Sequence, residues 1–543
     1  MHYIKLLLIP LVCTICLGNM LFGTGCSITK SNINAPDTLR ICLGGEPDKL
    51  NPQDANTAYL ASLAFISHSG LLMCAENGNP TYACAQRCQI SQDGLIYRFT
   101  LRDNLKWSDG SLLNSYDFCR SWQQTGGAQS TSANKYMFSC IDGYDTGVLN
   151  VTALDNGRIL QVVLSEPCPY FLELCTLPAF FPIKETDVNK YSEAGFISNG
   201  PFVLKEWNHS RSMIFTKNPY WFDCENVSLN KLELMLSDSG AAIYAAYKSG
   251  NIDFTDIIPD DEVGGLKNDI TLKRCDMLGT YFISFNVNSK IFSKFNKEDA
   301  ATFRKALGLL INRHKIINTV CMGGQKAAAQ FLPTGLITGT SQYVTSDSQY
   351  ITDKNQAIQM LESIGYIFDN NCKLSAQTPI TIDYLTNESG TQAGIPQSIQ
   401  ADYANIGITL NIVQQDSATF LESKRNGNFD MAKNGWLADY NDAINFLEIH
   451  ESGSPNNRSG FGKEINGYAP DWSEYDALIG LIRADTDANV RNDLATRAQA
   501  ILMDTGAVCP VYYYSDLYLI RENISGVYTS CYGHKYFMYA SVS

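Results

Sequence analysis

The fold is decided by residues 380–413, which read ITIDYLTNESGTQAGIPQSIQADYANIGITLNIV. A strand-like run over 380–385 is followed by a helix-like run from about 391 to 405, which stops at Gly407. A second strand-like run covers 408–413. A strand, a helix and a strand in this order form a βαβ unit, whose strands pair in parallel through a right-handed crossover. The sequence therefore predicts an α/β protein.

Strands and helices are also predicted on both sides of this unit. Period-two alternation or an apolar run predicts strands over 38–44, 95–101, 158–164 and 510–520. Helical spacing predicts helices over 300–311 and 353–364, a weaker helix over 55–71, and a helix capped by Asn114 or Ser115 with Asp117 in its first turn. Because 543 residues exceed one typical domain, we expect at least two lobes.

Composition and motifs argue against two broad classes of function. The formal net charge is −14, and no Lys/Arg-rich run is present, which argues against nucleic-acid binding. The chain has no G-x-S-x-G, H-E-x-x-H or G-x-x-x-x-G-K-[ST] motif, and no two of its six histidines have ligand spacing. We therefore expect neither an enzyme nor a resident metal or cofactor. A glycosidase-type pair of carboxylates remains an open alternative, since acidic residues are plentiful.

The N-terminus predicts export. Lys5 precedes an apolar run over 6–22, and small residues then lead to Cys26. This order is typical of a secretory signal peptide, here 1–25, and the alternative is an uncleaved membrane anchor. The Gly25-Cys26 pair resembles a bacterial lipobox, although Gly23 stands where Leu is usual, so lipid on Cys26 and a flexible tether over 26–37 are implied.

The chain has seventeen cysteines, which in an exported protein would suggest disulfides. Their scattered, apolar surroundings do not look like a disulfide framework, so we predict mostly free, buried thiols. Cys84 and Cys88 are spaced C-x3-C without a second pair or a neighbouring histidine, which does not favour a metal site.

Five groups of motifs, in a fixed order along the chain, carry a family resemblance. They are Lys106–Gly110 with 117–118 and 121–122; 199–207; 217–221 with 250–254; 303–307 with 312–313 and 323–325; and 510–514. Together they are similar to the peptide-binding lipoproteins of ABC importers, the bacterial extracellular solute-binding proteins that include oligopeptide- and dipeptide-binding proteins.

The resemblance implies a two-lobed, periplasmic-binding-protein-like (type II) α/β fold with a hinge and an additional β-rich subdomain. Carried over to this sequence, lobe one takes 38–68, 200–285 and 510–543, the subdomain takes 69–199, and lobe two takes 286–509. Two crossovers between the lobes would form the hinge, and ligand binding would close the cleft.

The resemblance also implies a binding site around Lys433–Tyr440. Asp439 would hold the α-ammonium of a peptide, and the main chain nearby would pair with the peptide backbone. Gly435 would permit close backbone approach. The other implied site residues are Trp436, Leu437, Lys433, Asn434, Asn56, Thr57, Ala58, Tyr281 and Phe282.

Each of these residues also has a structural interpretation. Asp439 could cap a local turn, Trp436 could lie in the core, and Lys433 could be a solvated charge. Lys433 replaces an Arg of the family, which removes a bidentate grip. Tyr281 and Phe282 alternate along one strand, so one of the pair could face the core, while an aromatic cleft position would let them wall side-chain pockets.

The function implied is capture of short peptides for an importer's membrane permease and cytoplasmic ATPase. The protein would be a monomer, anchored by lipid to the outer face of the bacterial membrane, or periplasmic if the source has an outer membrane. Two alternatives stay open: a protein of the same fold that binds a metal chelate, haem or other small solute, and a receptor that senses peptides.

Overall fold

The computed structural model describes residues 37–187, 190–338, 341–342, 351–387, 390–464 and 466–543. The predicted signal peptide, Cys26 and the tether up to residue 36 lie outside the described residues. The described residues, from 37 to 543, form one compact unit. The lobe and subdomain boundaries stay predictions.

The described helices are α1 Ala58–Ser67, α2 Ser115–Gly126, α3 Phe171–Leu174, α4 Gly240–Lys248, α5 Asp260–Val263, α6 Lys297–Leu310, α7 Arg313–Lys315, α8 Lys354–Ser363, α9 Gly394–Ala404, α10 Ser417–Arg425, α11 Ile444–Leu447, α12 Ser473–Ala484 and α13 Ala488–Asp504. The described strands are β1 Thr38–Cys42, β2 Leu72–Cys74, β3 Pro80–Tyr82, β4 Ala85–Ile90, β5 Ile96–Leu101, β6 Val151–Leu154, β7 Ile159–Val163, β8 Phe202–Asn208, β9 Ser212–Lys217, β10 Lys231–Met235, β11 Phe254–Thr255, β12 Leu272–Phe285, β13 Lys326–Ala327, β14 Ile337–Thr338, β15 Ser341–Gln342, β16 Thr381–Thr386, β17 Thr409–Gln414, β18 Met431–Leu437, β19 Val508–Ile520, β20 Ile524–Ser525, β21 Tyr528–Thr529, β22 Lys535–Tyr536 and β23 Ser541–Val542.

One mixed sheet organises the described chain. Its main order is β17-β16-β18-β12-β19-β11-β1-β10-β9-β8, and β13 pairs with β19 beside this path. A separate antiparallel sheet, β4-β5-β7-β6, lies within the range predicted for the β-rich subdomain. The combination of a large mixed sheet, surrounding helices and a smaller β-sheet confirms the predicted α/β class.

The βαβ unit is confirmed in detail. β16 and β17 pair in parallel, from Thr381 with Thr409 to Thr386 with Gln414. The intervening helix α9 begins at Gly394 rather than at about 391, because a short 3₁₀ turn precedes it. Pro396 lies in the first turn of α9, where a missing backbone N–H costs no helical hydrogen bond.

Two predicted helix starts are defined by side-chain caps. Asn114 caps α2, and the Asp117 carboxylate bonds back to the Asn114 backbone, which completes a capping box. Thr57 caps α1 through its hydroxyl, which accepts from the Leu60 N–H at 3.2 Å. The helix predicted over 55–71 is therefore shorter at both ends, from Ala58 to Ser67.

Two long strands connect the two ends of the large sheet. β12 pairs with β18 through residues 279–285 and with β19 along both of its ends. The β12–β19 register shifts between Asp276 and Thr280. The strands β18, β16 and β17 extend the sheet on one side of this pair, and β11, β1, β10, β9 and β8 extend it on the other.

The fourteen cysteines of the described chain form no disulfide with one another. Seven of them are buried and seven are partly buried, and burial raises the pKa of thiols such as Cys84, to about 12. The prediction of mostly free thiols is confirmed for these residues. Such thiols pack as small apolar side chains.

Candidate functional site

β18 presents part of its main chain at a sheet edge. On one side it pairs with β12 along its whole length, from Met431 to Leu437. On the other side the ladder with β16 ends at Ala432. For Gly435–Leu437, no strand in the described part of the chain pairs with this second edge. An extended ligand could add a strand there.

Two side chains already bond to this edge. The Lys424 ammonium donates to the Lys433 carbonyl at 3.3 Å and to the Asn434 side-chain oxygen at 3.0 Å. The same Asn434 oxygen accepts from the Gly435 N–H at 3.0 Å, while the Asn434 amide nitrogen donates to the Ser284 hydroxyl at 3.1 Å. A ligand backbone would have to replace some of these hydrogen bonds.

The carboxylate of Asp439, just beyond β18, lines a cavity of about 400 Å³. The wall of this cavity consists of Ala55, Asn56, Thr57, Ala58, Ala61, Ala133, Asn134, Tyr136, Met137, Leu177, Pro178, Ala179, Leu437, Ala438, Asp439, Tyr532 and His534. The structure thus brings the 56–58 segment next to Leu437 and Asp439, although some 380 positions separate that segment from Leu437 in the sequence.

Asp439 also lines a second cavity of about 670 Å³, which contains Trp436 and Tyr136. Burial raises the pKa of Asp439, and a hydrogen bond from Asn445 acts in the opposite direction. Asn445 organises this corner, because its side-chain oxygen accepts from the Trp436 indole at 3.0 Å and from the Asp439 backbone N–H at 3.1 Å. A partly buried carboxylate at a cavity wall suits a cationic ligand group.

The residues that sequence reasoning missed come from three distant segments. The wall of the first cavity includes Tyr136 and Met137, the 177–179 turn, and Tyr532 with His534. None of them belongs to a motif that we singled out. Their aromatic or small side chains carry no periodic signal that separates a cavity wall from a core, so only the tertiary structure identifies them.

Tyr281 and Phe282, predicted to wall side-chain pockets of the cleft, are both buried in this structure. Tyr281 is 2% exposed and stacks on Tyr512 with ring centroids 4.7 Å apart. Phe282 is 1% exposed and packs edge-on against Phe331 at 5.0 Å. Both faces of β12 are covered at this point, so both rings belong to the core, and neither lines a described cavity.

Gly435 lies close to a side chain of the protein itself. A methyl group on this residue would collide with the Tyr514 hydroxyl of the protein itself. The space beside Gly435 is therefore occupied by Tyr514 in this structure, and the absence of a side chain allows that packing.

A third cavity, of about 580 Å³, is rich in cationic side chains. Lys424, Arg425, Arg458 and Lys463 line it together with Asp383, Asp430 and Glu464. Burial, together with the charges of Arg458 and Lys433, lowers the pKa of Lys424 to about 7. Lys433 is therefore part of a cationic environment rather than an isolated surface charge.

A family model matches most of the chain. Residues 79–458 match the model of the bacterial extracellular solute-binding proteins, family 5 middle. This chain belongs to that family. Members are solute-binding proteins of the extracellular or periplasmic space. No helix among the described residues is both long and apolar enough to cross a bilayer.

Curated relatives of the family match nearly the whole chain. The oligopeptide-binding protein OppA of Bacillus subtilis (strain 168) is 27% identical, over 94% of this chain and 93% of the relative. The dipeptide-binding protein DppE of the same organism is 28% identical, over 94% and 93%. The periplasmic oligopeptide-binding protein OppA of Salmonella typhimurium is 28% identical, over 89% and 88%.

Solved structures of the family confirm the fold. The unliganded open form of MppA, a periplasmic murein tripeptide-binding protein, gives a TM-score of 0.78 at 24% identity, covering 94% of this chain and 98% of that one. Listeria monocytogenes OppA bound to peptide gives a TM-score of 0.70 at 22% identity, covering 94% and 100%. The predicted two-lobed, periplasmic-binding-protein-like architecture is therefore confirmed.

Proposed function

We propose that this family 5 protein captures short peptides between two lobes and delivers them to the permease of an ABC importer. One observation carries the proposal: the Asp439 carboxylate lies in one cavity with Thr57 and Ala58, at the end of the β18 edge. The curated relatives named as oligopeptide- and dipeptide-binding proteins support the same ligand class.

The proposed recognition depends on groups that every peptide shares. The edge of β18 would pair with the peptide main chain, and Asp439 would accept from the terminal ammonium. A charge-assisted hydrogen bond of this kind contributes about 1.5–3 kcal/mol. Near its amino end the ligand would contact Leu437 and Trp436. On its opposite side the ligand would contact Thr57 and Ala58. Asn434 and Lys433 would lie farther along the peptide.

Lobe one would consist of residues 38–68, 200–285 and 510–543, and residues 69–199 would form its subdomain. Lobe two would consist of residues 286–509. This division places the two cavity walls, 56–58 and 437–439, on different lobes. Closure of the lobes would then remove the ligand from water and strengthen the bond to Asp439.

The export route would use residues 1–25 as a signal peptide and lipid on Cys26 as the anchor. The mature protein would be a monomer that acts without a cofactor and catalyses no reaction. Metabolic labelling with a fatty acid, compared between the native chain and Cys26→Ala, tests the anchor separately from ligand binding.

The decisive experiment is calorimetry with matched peptides. We expect a pool of free-amine tri- to pentapeptides to bind at least tenfold more tightly than their N-acetylated forms, and Asp439→Asn to abolish this difference. Asp493→Asn, on the exposed surface of α13, is the matched control. Equal affinity of the native protein for free and acetylated peptides contradicts the role of Asp439.

Native mass spectrometry of the protein from its own host tests the ligand class. Co-purified peptides would support the proposal, whereas a bound haem or metal chelate would favour the alternative within the same fold. Peptides recovered intact after long incubation would agree with a binding function rather than a hydrolytic one.

A further inference from the structure

The loop that carries Asp439, residues 438–442, is tied to its surroundings by several backbone hydrogen bonds. The Ala438 N–H donates to the Leu278 carbonyl at 2.8 Å, and the Asp439 N–H donates to Asn445 at 3.1 Å. Both acceptors belong to the part of the sheet and the helix that adjoin the loop. These bonds fix the start of the loop but not its far side.

The far side of the loop is held by Glu173 of α3. The Asn441 N–H donates to the Glu173 carboxyl oxygen Oε2 at 2.5 Å, across a sequence separation of 268 residues. On the same segment, Tyr170 stacks on Tyr440 with ring centroids 3.9 Å apart and an interplanar angle of 9°. A segment of the predicted subdomain therefore contacts the two residues that follow Asp439.

The same oxygen has a second donor. The Tyr532 hydroxyl donates to Glu173 Oε2 at 3.3 Å, and Tyr532 lines the first cavity together with Asp439. One carboxyl oxygen thus connects the Asp439 loop to the C-terminal segment of the cavity wall. Glu173 itself does not line that cavity.

The charge state of Glu173 fits this arrangement. Burial raises its pKa to about 8, and the neighbouring Asp442 acts in the same direction. Hydrogen bonds from the Asn441 N–H and the Tyr532 hydroxyl lower the pKa of Glu173. The thiols of Cys74 and Cys531 also lie near the Glu173 carboxyl. The raised pKa favours the neutral carboxyl, whose oxygen can accept both hydrogen bonds without adding a second anion near Asp439.

We propose that Glu173 is a positioning residue for recognition of the ligand's amine: it holds Asn441 and Tyr532 so that the Asp439 carboxylate faces the cavity. The inference rests on the proposed function. It adds a residue outside every motif of the sequence and outside the cavity wall, which acts only through the groups it binds.

The test measures a ratio rather than a single affinity. For each variant, calorimetry gives the affinity for a free-amine peptide divided by that for its N-acetylated form. We expect Glu173→Ala to lower this ratio about three- to tenfold, in keeping with one lost hydrogen bond to a positioned loop. Glu173→Gln keeps an oxygen acceptor for the Asn441 N–H, so its ratio should stay within about twofold of the native value.

A matched control separates positioning from general stability. Glu46 also accepts a backbone N–H, that of Ser210, at 2.6 Å, in a region that lines neither cavity of Asp439. Glu46→Ala should lower the melting temperature without changing the ratio. If Glu173→Ala does not fold, Glu173→Asp serves instead, because its shorter side chain cannot reach both donors.

The outcomes distinguish this inference from the proposed function. A native ratio near one means that Asp439 does not read the amine, and the proposed function itself fails. A high native ratio that Glu173→Ala and Glu173→Asp both preserve overturns only the positioning role. Equal loss of affinity for free and acetylated peptides also overturns it, because that result indicates a purely structural contribution.

Discussion

The ammonium of Lys424 donates to the backbone carbonyl of Lys433 at 3.3 Å, which places a buried cation against the edge of β18. Lys424 is only 6% exposed, and burial and nearby cations lower its pKa to about 7. Between pH 7 and the ordinary lysine value, the folded state therefore binds fewer protons than the unfolded state. The contribution of Lys424 to stability must then increase as the pH rises through this window.

The variant Lys424→Met tests this titration. The free energy of unfolding of the native protein, relative to Lys424→Met, should rise by up to about 1.4 kcal/mol per pH unit between pH 7 and 9. Urea titrations at three pH values measure the difference, with the exposed Lys267→Met as the control. A difference that does not change with pH would show that Lys424 keeps an ordinary lysine pKa.

Gly435 and Tyr514 should be energetically coupled. An added methyl group at Gly435 would collide with the Tyr514 hydroxyl, which ends a partly exposed side chain that can shift, so we expect Gly435→Ala to lower the free energy of unfolding by no more than about 1 kcal/mol. The loss should be smaller in a Tyr514→Phe background, where the hydroxyl is absent. A double-mutant cycle measures the coupling, and additive effects of the two substitutions would contradict the packing described here.

His450 should make the protein sensitive to acid. Burial lowers its pKa to about 3, and neither ring nitrogen has a hydrogen-bond partner among the described residues. The folded state therefore resists protonation between pH 6.5 and 3, so stability is lost as the pH falls below 6.5. Each pH unit costs up to about 1.4 kcal/mol for this residue.

His450→Leu should remove that share of the acid sensitivity. Denaturant unfolding at pH 7.5 and pH 5 gives the two slopes to compare. The control is His314→Gln, at an exposed histidine of α7. Parallel profiles for the native protein and His450→Leu would mean that His450 is protonated without cost.

The buried pair of Asp442 and Arg491 should dominate the stability of the region behind Asp439. The two groups are 2.5 Å apart, and their side chains are 4% and 1% exposed. We expect Arg491→Met to lower the free energy of unfolding by about 3–5 kcal/mol, because it leaves a buried carboxylate without its cation. Adding Asp442→Asn should recover part of the loss. Thermal unfolding of the single and double variants measures both effects, and an additive double variant would exclude the coupling.

Much of the fold could be predicted from local patterns. The apolar and polar alternation of Ile96–Leu101 and the spacing around Gly407 are properties of short segments, and the structure places strands and a helix there. Motif order supplied the rest, because the chain shares it with its family. The family resemblance also implied that Asp439 and Thr57 belong to one site, and both line one cavity in the structure.

Local patterns do not determine the features that depend on tertiary packing. The alternation at Tyr281 and Phe282 identifies two faces of a strand, but it does not show that other elements cover both faces. The space beside Gly435 is occupied by Tyr514 of β19, which lies two strands away in the sheet. The contact between Glu173 and Asn441 joins segments with no shared motif, so the sequence contains no signal for it.

The way in which β12 and β19 connect the two ends of the sheet limits how the molecule can change shape. The two strands are hydrogen-bonded to each other on both sides of the register shift near residues 277–279. A movement that slid the two strands past each other would break these bonds. A pair of spin labels on β8 and β17, at opposite ends of the sheet, would measure whether its two ends move relative to each other when a ligand is added.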